Sequence, residues 1–296
     1  MGSAADQKST LNCVIDFVLP LIHQHLQHRR LDKDHPNRPF FLAISGTQGS
    51  GKSTLASALC DVLRRQKPCL QVASVSIDDF YLKKDDLDDL SHAFPGNKLV
   101  SVRGPPGTHD VRLAAQTMEA LAADPTSSGR PSVTIPRYDK SAFDGRGDRL
   151  PPSEWEVIQT PVDVVILEGW CLGFQRLPED KLEEAIAEAR RNGQADKPVG
   201  GPSGRAILLQ HPPEHLCQMN EALRGYTPGL GVTAFTDKIN WDAFIHLDTA
   251  DLQNVYKWRW EQEAKLRAAT GSGMSKEQVE KFSAFTPTQT SAPITP

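Results

Sequence analysis

No run of about 18 apolar residues occurs anywhere in the chain, so no segment reads as a membrane-spanning helix. Positive charge is not in surplus either: 33 Lys and Arg stand against 37 Asp and Glu, a formal net charge of −4. That balance gives no electrostatic footprint for nucleic acid or an anionic membrane, both of which call for a clustered basic surface, and neither is expected as a partner. Cysteine is scarce. Cys13, Cys60, Cys69, Cys171 and Cys217 are odd in number, scattered and without CxxC spacing, which excludes a disulfide framework and predicts a reducing compartment. No basic segment followed by an apolar run and a small-residue cleavage site opens the sequence, and Asp6 stands where an N-myristoylation pattern needs Ser or Thr. The expectation is a cytoplasmic protein; no oligomeric state can be read from the sequence.

What is present suits a globular α/β chain: of 296 residues, 39% are apolar and 24% charged. One folded unit is expected over residues 1–285, interrupted by an acidic, then Gly/Pro/Ser-rich surface insertion at about 178–205. Residues 286–296 are Thr/Pro-rich without an apolar face, and disorder is expected there. Leu11, Val14, Ile15, Val18, Leu21, Ile22 and Leu26 recur at three- and four-residue spacing, predicting an N-terminal amphipathic helix bent at Pro20. His23, His25 and His28 do not share one face of that helix, so solvated side chains rather than metal ligands are expected.

Four apolar runs read as buried strands: Phe40 to Ser45, Leu70 to Ile77, Val162 to Leu167 and Ala243 to Leu247. With helical patterns between them they predict a P-loop NTPase-like three-layer αβα fold around a central parallel sheet, whose ligands bind at the carboxyl ends of the strands. Asp85 to Asp110 and Pro131 to Pro152 are dense in Gly, Pro, Arg and Asp and read as long functional loops.

Gly46-Thr47-Gln48-Gly49-Ser50-Gly51-Lys52-Ser53 fits GxxxxGK[ST], placed between a predicted strand and the helical pattern that starts at Thr54. The spacing has a physical reason. Glycines let successive backbone N–H groups curl around phosphates, and the helix N-terminus adds positive partial charge. Lys52 supplies a point charge, and Ser53 offers its hydroxyl to Mg²⁺ bridging the β- and γ-oxygens of ATP. A parallel sheet sets neighbouring strand tips beside this loop, so Asp78, Asp79 and Glu168 fall near the terminal phosphate. Asp78 is the candidate base for an acceptor hydroxyl and Glu168 the candidate metal ligand. Asp79 reads equally as a substrate contact or as the cap of the following turn.

Four longer stretches carry a resemblance. Ser76-Ile77-Asp78-Asp79-Phe80-Tyr81-Leu82, Arg103-Gly104-Pro105-Pro106-Gly107-Thr108-His109-Asp110, the run Pro136 to Arg149, and Leu167-Glu168-Gly169-Trp170-Cys171-Leu172-Gly173-Phe174 resemble the D-glycerate 3-kinase family of plants and fungi. That family sits in the wider group of P-loop kinases containing uridine kinase, phosphoribulokinase and bacterial pantothenate kinase. The resemblance covers about residues 10 to 285. It implies ATP-dependent phosphorylation of D-glycerate to 3-phosphoglycerate, with Asp78 as the catalytic base and Glu168 as the metal-associated acid. It further implies Arg137, Tyr138 and Lys140 lining the acceptor site; Arg103, His109 and Arg146 are further candidates, with Asp79 and Tyr81 beside them. A glycerate carboxylate independently calls for Arg or Lys.

Tyr256, Lys257, Trp258 and Arg259 match the family's YxWR pattern on a predicted helix from Leu252 to Arg267. Arg259 is the candidate for stabilising charge on the transferring phosphoryl group, while Trp258 and Trp260 read more readily as core packing. After Phe285 the sequence departs from family members, which continue into a helix and a strand that helps form the base pocket. Two other readings remain at this stage: a kinase of the same fold acting on a nucleoside or pantothenate-like acceptor, and an ATP-binding module without turnover.

Overall fold

The computed structural model describes residues 4–31, 37–123, 129, 131–192, 209–226, 241–248, 260, 261, 264 and 267. In chain order these form α1 (Ala4–Leu31), β1 (Phe40–Gly46), α2 (Lys52–Arg64), β2 (Val72–Ser76), α3 (Lys84–Ala93) and α4 (Val111–Ala122). There follow β3 (Ser132–Ile135), β4 (Tyr138–Asp139), β5 (Asp148–Arg149), β6 (Glu156–Gln159), β7 (Val164–Gly169), α5 (Glu179–Asn192), α6 (Pro213–Ala222) and β8 (Ala243–Leu247).

Four strands pair in the order β2-β7-β1-β8, all parallel. Because side chains alternate along a strand, each strand feeds two cores. Phe41, Ala43, Ala73, Val75, Val165 and Leu167 point to one face, against Met118 and Leu121 of α4 and Ile135 of β3. Phe40, Leu42, Ile44, Val72, Val164 and Ile166 point to the other, against Val18 and Ile22 of α1 and Leu59 and Leu63 of α2. This is the three-layer α/β P-loop fold. Each fully buried Leu, Ile or Phe contributes about 1.5–3 kcal/mol, which makes the sheet a rigid platform for its strand tips.

Arg38 fixes the register of β8 against β1 by a two-pronged ion pair with Asp242, both N–O distances being 2.7 Å. The same Asp242 accepts the Phe41 N–H at 2.8 Å. His25 belongs to this corner, which corrects the expectation that all three α1 histidines are solvated: its Nε2 lies 3.1 Å from the Arg38 carbonyl and its ring meets Phe40 edge-on. Burial pushes the His25 imidazole below its ordinary value. The α1 helix persists through Pro20.

Two stretches read as irregular carry structure. The first contains α3, which buries only Leu87 and opens on Asp85 and Asp86, so its acidic sequence shows no apolar periodicity. In the second, β3 pairs antiparallel with β6, and the two-residue strands β4 and β5 pin the base of a loop. Within the expected insertion, Leu182 and Ile186 of α5 pack with Leu99 and with Leu216 of α6. Residues 193–208 and the tail from 286 lie outside the described residues. No described helix is long and apolar enough to cross a membrane.

Candidate active site

The phosphate-binding loop owes its shape to three glycines in the left-handed region: Gly46 at φ 151°, Gly49 at 78° and Gly51 at 94°. At Gly46 the need is also steric, since a Cβ there would stand 2.5 Å from the Leu247 carbonyl oxygen of β8. Gly51 occupies the cap position of α2 and has no side chain with which to satisfy the helix's first N–H groups. Lys52 is buried and lays its ammonium back over the loop, donating to the Thr47 carbonyl at 2.8 Å. Burial pushes it below its ordinary value, against the pull of Glu168 and Asp78.

Strand register brings the acids to this loop. Ser76 of β2 pairs with Glu168 of β7, which pairs in turn with Ile44 of β1. Glu168 Oε1 accepts from the Ser53 hydroxyl at 2.9 Å and from the Ser76 hydroxyl at 2.7 Å. Gly169 follows because a Cβ there would stand 2.5 Å from Cγ2 of Ile77. Ser76 also caps the 3₁₀ turn Ile77–Phe80, taking the Asp78 N–H at 3.3 Å. Asp78 Oδ1 accepts from Tyr81 at 3.0 Å and Oδ2 from Lys140 at 2.5 Å. Burial raises the Asp78 carboxyl, but Lys140, His109 and Tyr81 outweigh it and hold the group at about 2.

Around Asp79 and the loop between β4 and β5 the charges are largely paired with one another. Arg137 donates to Asp79 at 2.6 Å and also reaches Glu156. Burial pushes the Asp79 carboxyl up while Arg137 opposes the shift. Arg103 donates to the carbonyls of Gly145 and Arg146, each at 2.5 Å, and its guanidinium lies over the Tyr138 ring. It thus clamps the loop between β4 and β5 that delivers Lys140. Burial pushes the Tyr138 phenol up to about 12. Tyr81 stacks on His109 with ring centroids 4.4 Å apart, and their backbones form an antiparallel bridge. Arg259 and the rest of the YxWR pattern lie outside the described residues, apart from the neighbouring helical Trp260.

Lys52, Ser53, Glu168, Asp78, Tyr81 and Lys140 are thus brought together. Ser76 was missed, although a Ser at a strand end ahead of a turn is itself a capping signal. Tyr226 was also missed: its hydroxyl lies 2.6 Å from His109 Nδ1, and nothing in its surrounding sequence points there.

The loop suits a phosphate group. Thr47 Oγ1, Gln48 Oε1 and Ser50 Oγ are buried without a hydrogen-bond partner among the described residues, beside an uncapped helix N-terminus. The Ser53–Glu168 pair is an all-oxygen donor set of the kind that holds Mg²⁺ jointly with phosphate oxygens and water.

A glycine loop of this form between a buried strand and a helix, with acids on the adjoining strand tips, defines a P-loop nucleotide-binding protein. Comparison with family models finds no match. The chain is 34% identical over 275 residues to the uncharacterized kinase mug58 of Schizosaccharomyces pombe, covering 93% of this chain and 85% of that protein. It is 34% identical over 244 residues to the chloroplastic D-glycerate 3-kinase of Arabidopsis thaliana, covering 82% of this chain and 45% of that protein. The solved D-glycerate 3-kinase from Cryptococcus neoformans var. grubii matches with a TM-score of 0.76 at 33% identity, covering 94% of this chain and 86% of that one. The chain belongs to the D-glycerate 3-kinase family.

Proposed function

We propose that this chain transfers the γ-phosphoryl group of ATP to D-glycerate, giving 3-phosphoglycerate and ADP. The observation that carries the reading is the joining of Ser53, Glu168 and Ser76 through one carboxylate oxygen, with Asp78 on the turn that Ser76 caps. Phosphate loop, metal ligands and base are thereby fixed to one another. The names of the plant and fungal relatives support D-glycerate as the acceptor.

Asp78 takes the proton of the attacking hydroxyl as the new O–P bond forms and the bond to the ADP oxygen breaks. Gly46, Thr47, Gln48, Gly49, Ser50, Gly51, Ser53 and Thr54 surround the phosphates with N–H groups and hydroxyls, and Lys52 offsets their charge. Ser53 and Glu168 would hold Mg²⁺, which neutralises charge on the β- and γ-oxygens when bound. Arg137, Tyr138, Lys140, Asp79, Tyr81 and His109 form the acceptor side, and Arg103 acts there by clamping the loop that carries Lys140. Arg259 is assigned to the transferring phosphoryl group by its family motif alone. The five free thiols support a reducing, cytoplasmic setting.

The test is ADP release by the purified chain with Mg-ATP and, in turn, D-glycerate, uridine and pantothenate. Release is expected with D-glycerate. Release only with one of the others contradicts the acceptor assignment, and ATP binding without release in any case contradicts the enzymatic reading.

A further inference from the structure

His109 is 4% exposed, and its Nε2 has no hydrogen-bond partner among the described residues. A buried polar atom without a partner is destabilising, and near an active centre it points to a ligand. The ring is tightly held. Tyr81 stacks on one side at an interplanar angle of 25° and Tyr226 meets it edge-on. The backbone either side is fixed by Leu82 N–H donating to Thr108 O at 2.9 Å and Asp110 N–H donating to Phe80 O at 2.7 Å. Tyr81 in turn donates to Asp78, so His109 sits one ring away from the carboxylate assigned as base.

Tyr226 decides which nitrogen carries the proton. Its hydroxyl accepts the Gly107 N–H at 3.1 Å and lies 2.6 Å from His109 Nδ1. A phenol has one proton to give, and leaving it unpaired in the interior is unfavourable. Tyr226 is itself buried, and among the described residues Nδ1 is the acceptor its proton can reach. The chain of donors therefore runs from Gly107 N–H to the Tyr226 oxygen, and from the Tyr226 hydroxyl to Nδ1. With Nδ1 accepting, the imidazole proton belongs on Nε2.

We infer that Tyr226 is a positioning residue that holds His109 in the tautomer with its proton on Nε2, so that the ring presents one hydrogen-bond donor to an oxygen of the molecule being phosphorylated. Burial supports the uncharged ring independently, pushing His109 down to about 4. A fixed donor of this kind favours an acceptor molecule with a lone-pair oxygen at that point, a hydroxyl or carboxylate, over one with an apolar group. That last step rests on the kinase reading above; the tautomer does not.

The experiment is ¹⁵N NMR of the full chain labelled at histidine, with the His109 signals assigned from the spectrum of His109→Gln. At neutral pH and without added substrate, a protonated Nε2 and a bare Nδ1 are expected. Tyr226→Phe should give a mixture of tautomers and raise KM for D-glycerate about fivefold while leaving KM for ATP in place, the loss of one aligned hydrogen bond. A proton on Nδ1 in the unmodified chain overturns the inference, as does a Tyr226→Phe protein with unaltered tautomer and unaltered acceptor KM. If Tyr226→Phe does not fold, the spectrum of the unmodified chain decides. Failure to phosphorylate D-glycerate would refute the proposed function, and the same spectrum would still judge the tautomer.

Discussion

Lys140 Nζ lies 2.5 Å from Asp78 Oδ2, so the residue assigned as base is ion-paired by a side chain from a loop 62 positions away. The pairing has a pH consequence. Asp78 is held at about 2, so its carboxylate is ionised across the neutral range. Being depressed below the ordinary carboxylate value of about 3.9, it contributes stability above that pH, which is lost as pH falls through about 2.

Replacing Lys140 with Ala leaves burial of Asp78 opposed only by His109 and Tyr81 and raises its pKa. The acid limb of the rate profile should move to higher pH by about one unit or more, with a lower plateau. Steady-state rates of both proteins, carried down to about pH 3, check this. An acid limb unmoved by Lys140→Ala would detach Lys140 from the base.

Glu168→Gln keeps an oxygen for Ser53 and Ser76 but removes the charge they surround. The Mg²⁺ concentration needed for half-maximal rate should rise about ten- to a hundredfold, with the fold intact by circular dichroism. A Mg²⁺ dependence like that of the unmodified chain would remove Glu168 from the metal site.

Much of this centre is legible in the sequence because its parts are local. The motif from Gly46 to Ser53 lies between a continuous apolar run and a helical pattern, and Asp78 and Glu168 each end an apolar run. The parallel sheet follows from the same runs. Less accessible are contacts set by tertiary placement: the Arg137–Asp79 pair, the Arg103 clamp on the carbonyls of Gly145 and Arg146, and Tyr226 on His109. Basic residues that look free in a Gly-rich loop turn out to be engaged, since partners far along the chain leave no periodic trace. The α3 helix was hidden for a different reason: its stability draws on exposed acids and the Lys84–Asp88 pair more than on an apolar face.

Gly46→Ala forces a methyl group toward the Leu247 carbonyl and a side chain into a backbone conformation that favours glycine. ATP affinity should fall at least about tenfold, because the loop must shift out of its phosphate-binding form. Calorimetric titration with Mg-ATP measures it, and unchanged affinity would contradict the loop geometry.

Ser76→Ala removes the link between Glu168 and the turn carrying Asp78. A stability loss of about 1 kcal/mol is expected from the cap and the hydrogen bond, read as a lower urea midpoint. The rate should fall more than that loss explains under conditions where the protein stays folded. A pure stability effect would make Ser76 structural only.

The most direct test is phosphorus NMR of the product formed from Mg-ATP and D-glycerate by the unmodified chain and by Asp78→Asn, side by side. The account predicts 3-phosphoglycerate from the first, and from the second a rate lower by about a hundred- to ten-thousandfold with ATP binding retained. Equal rates from the two proteins, or a phosphate on a different oxygen, would contradict it.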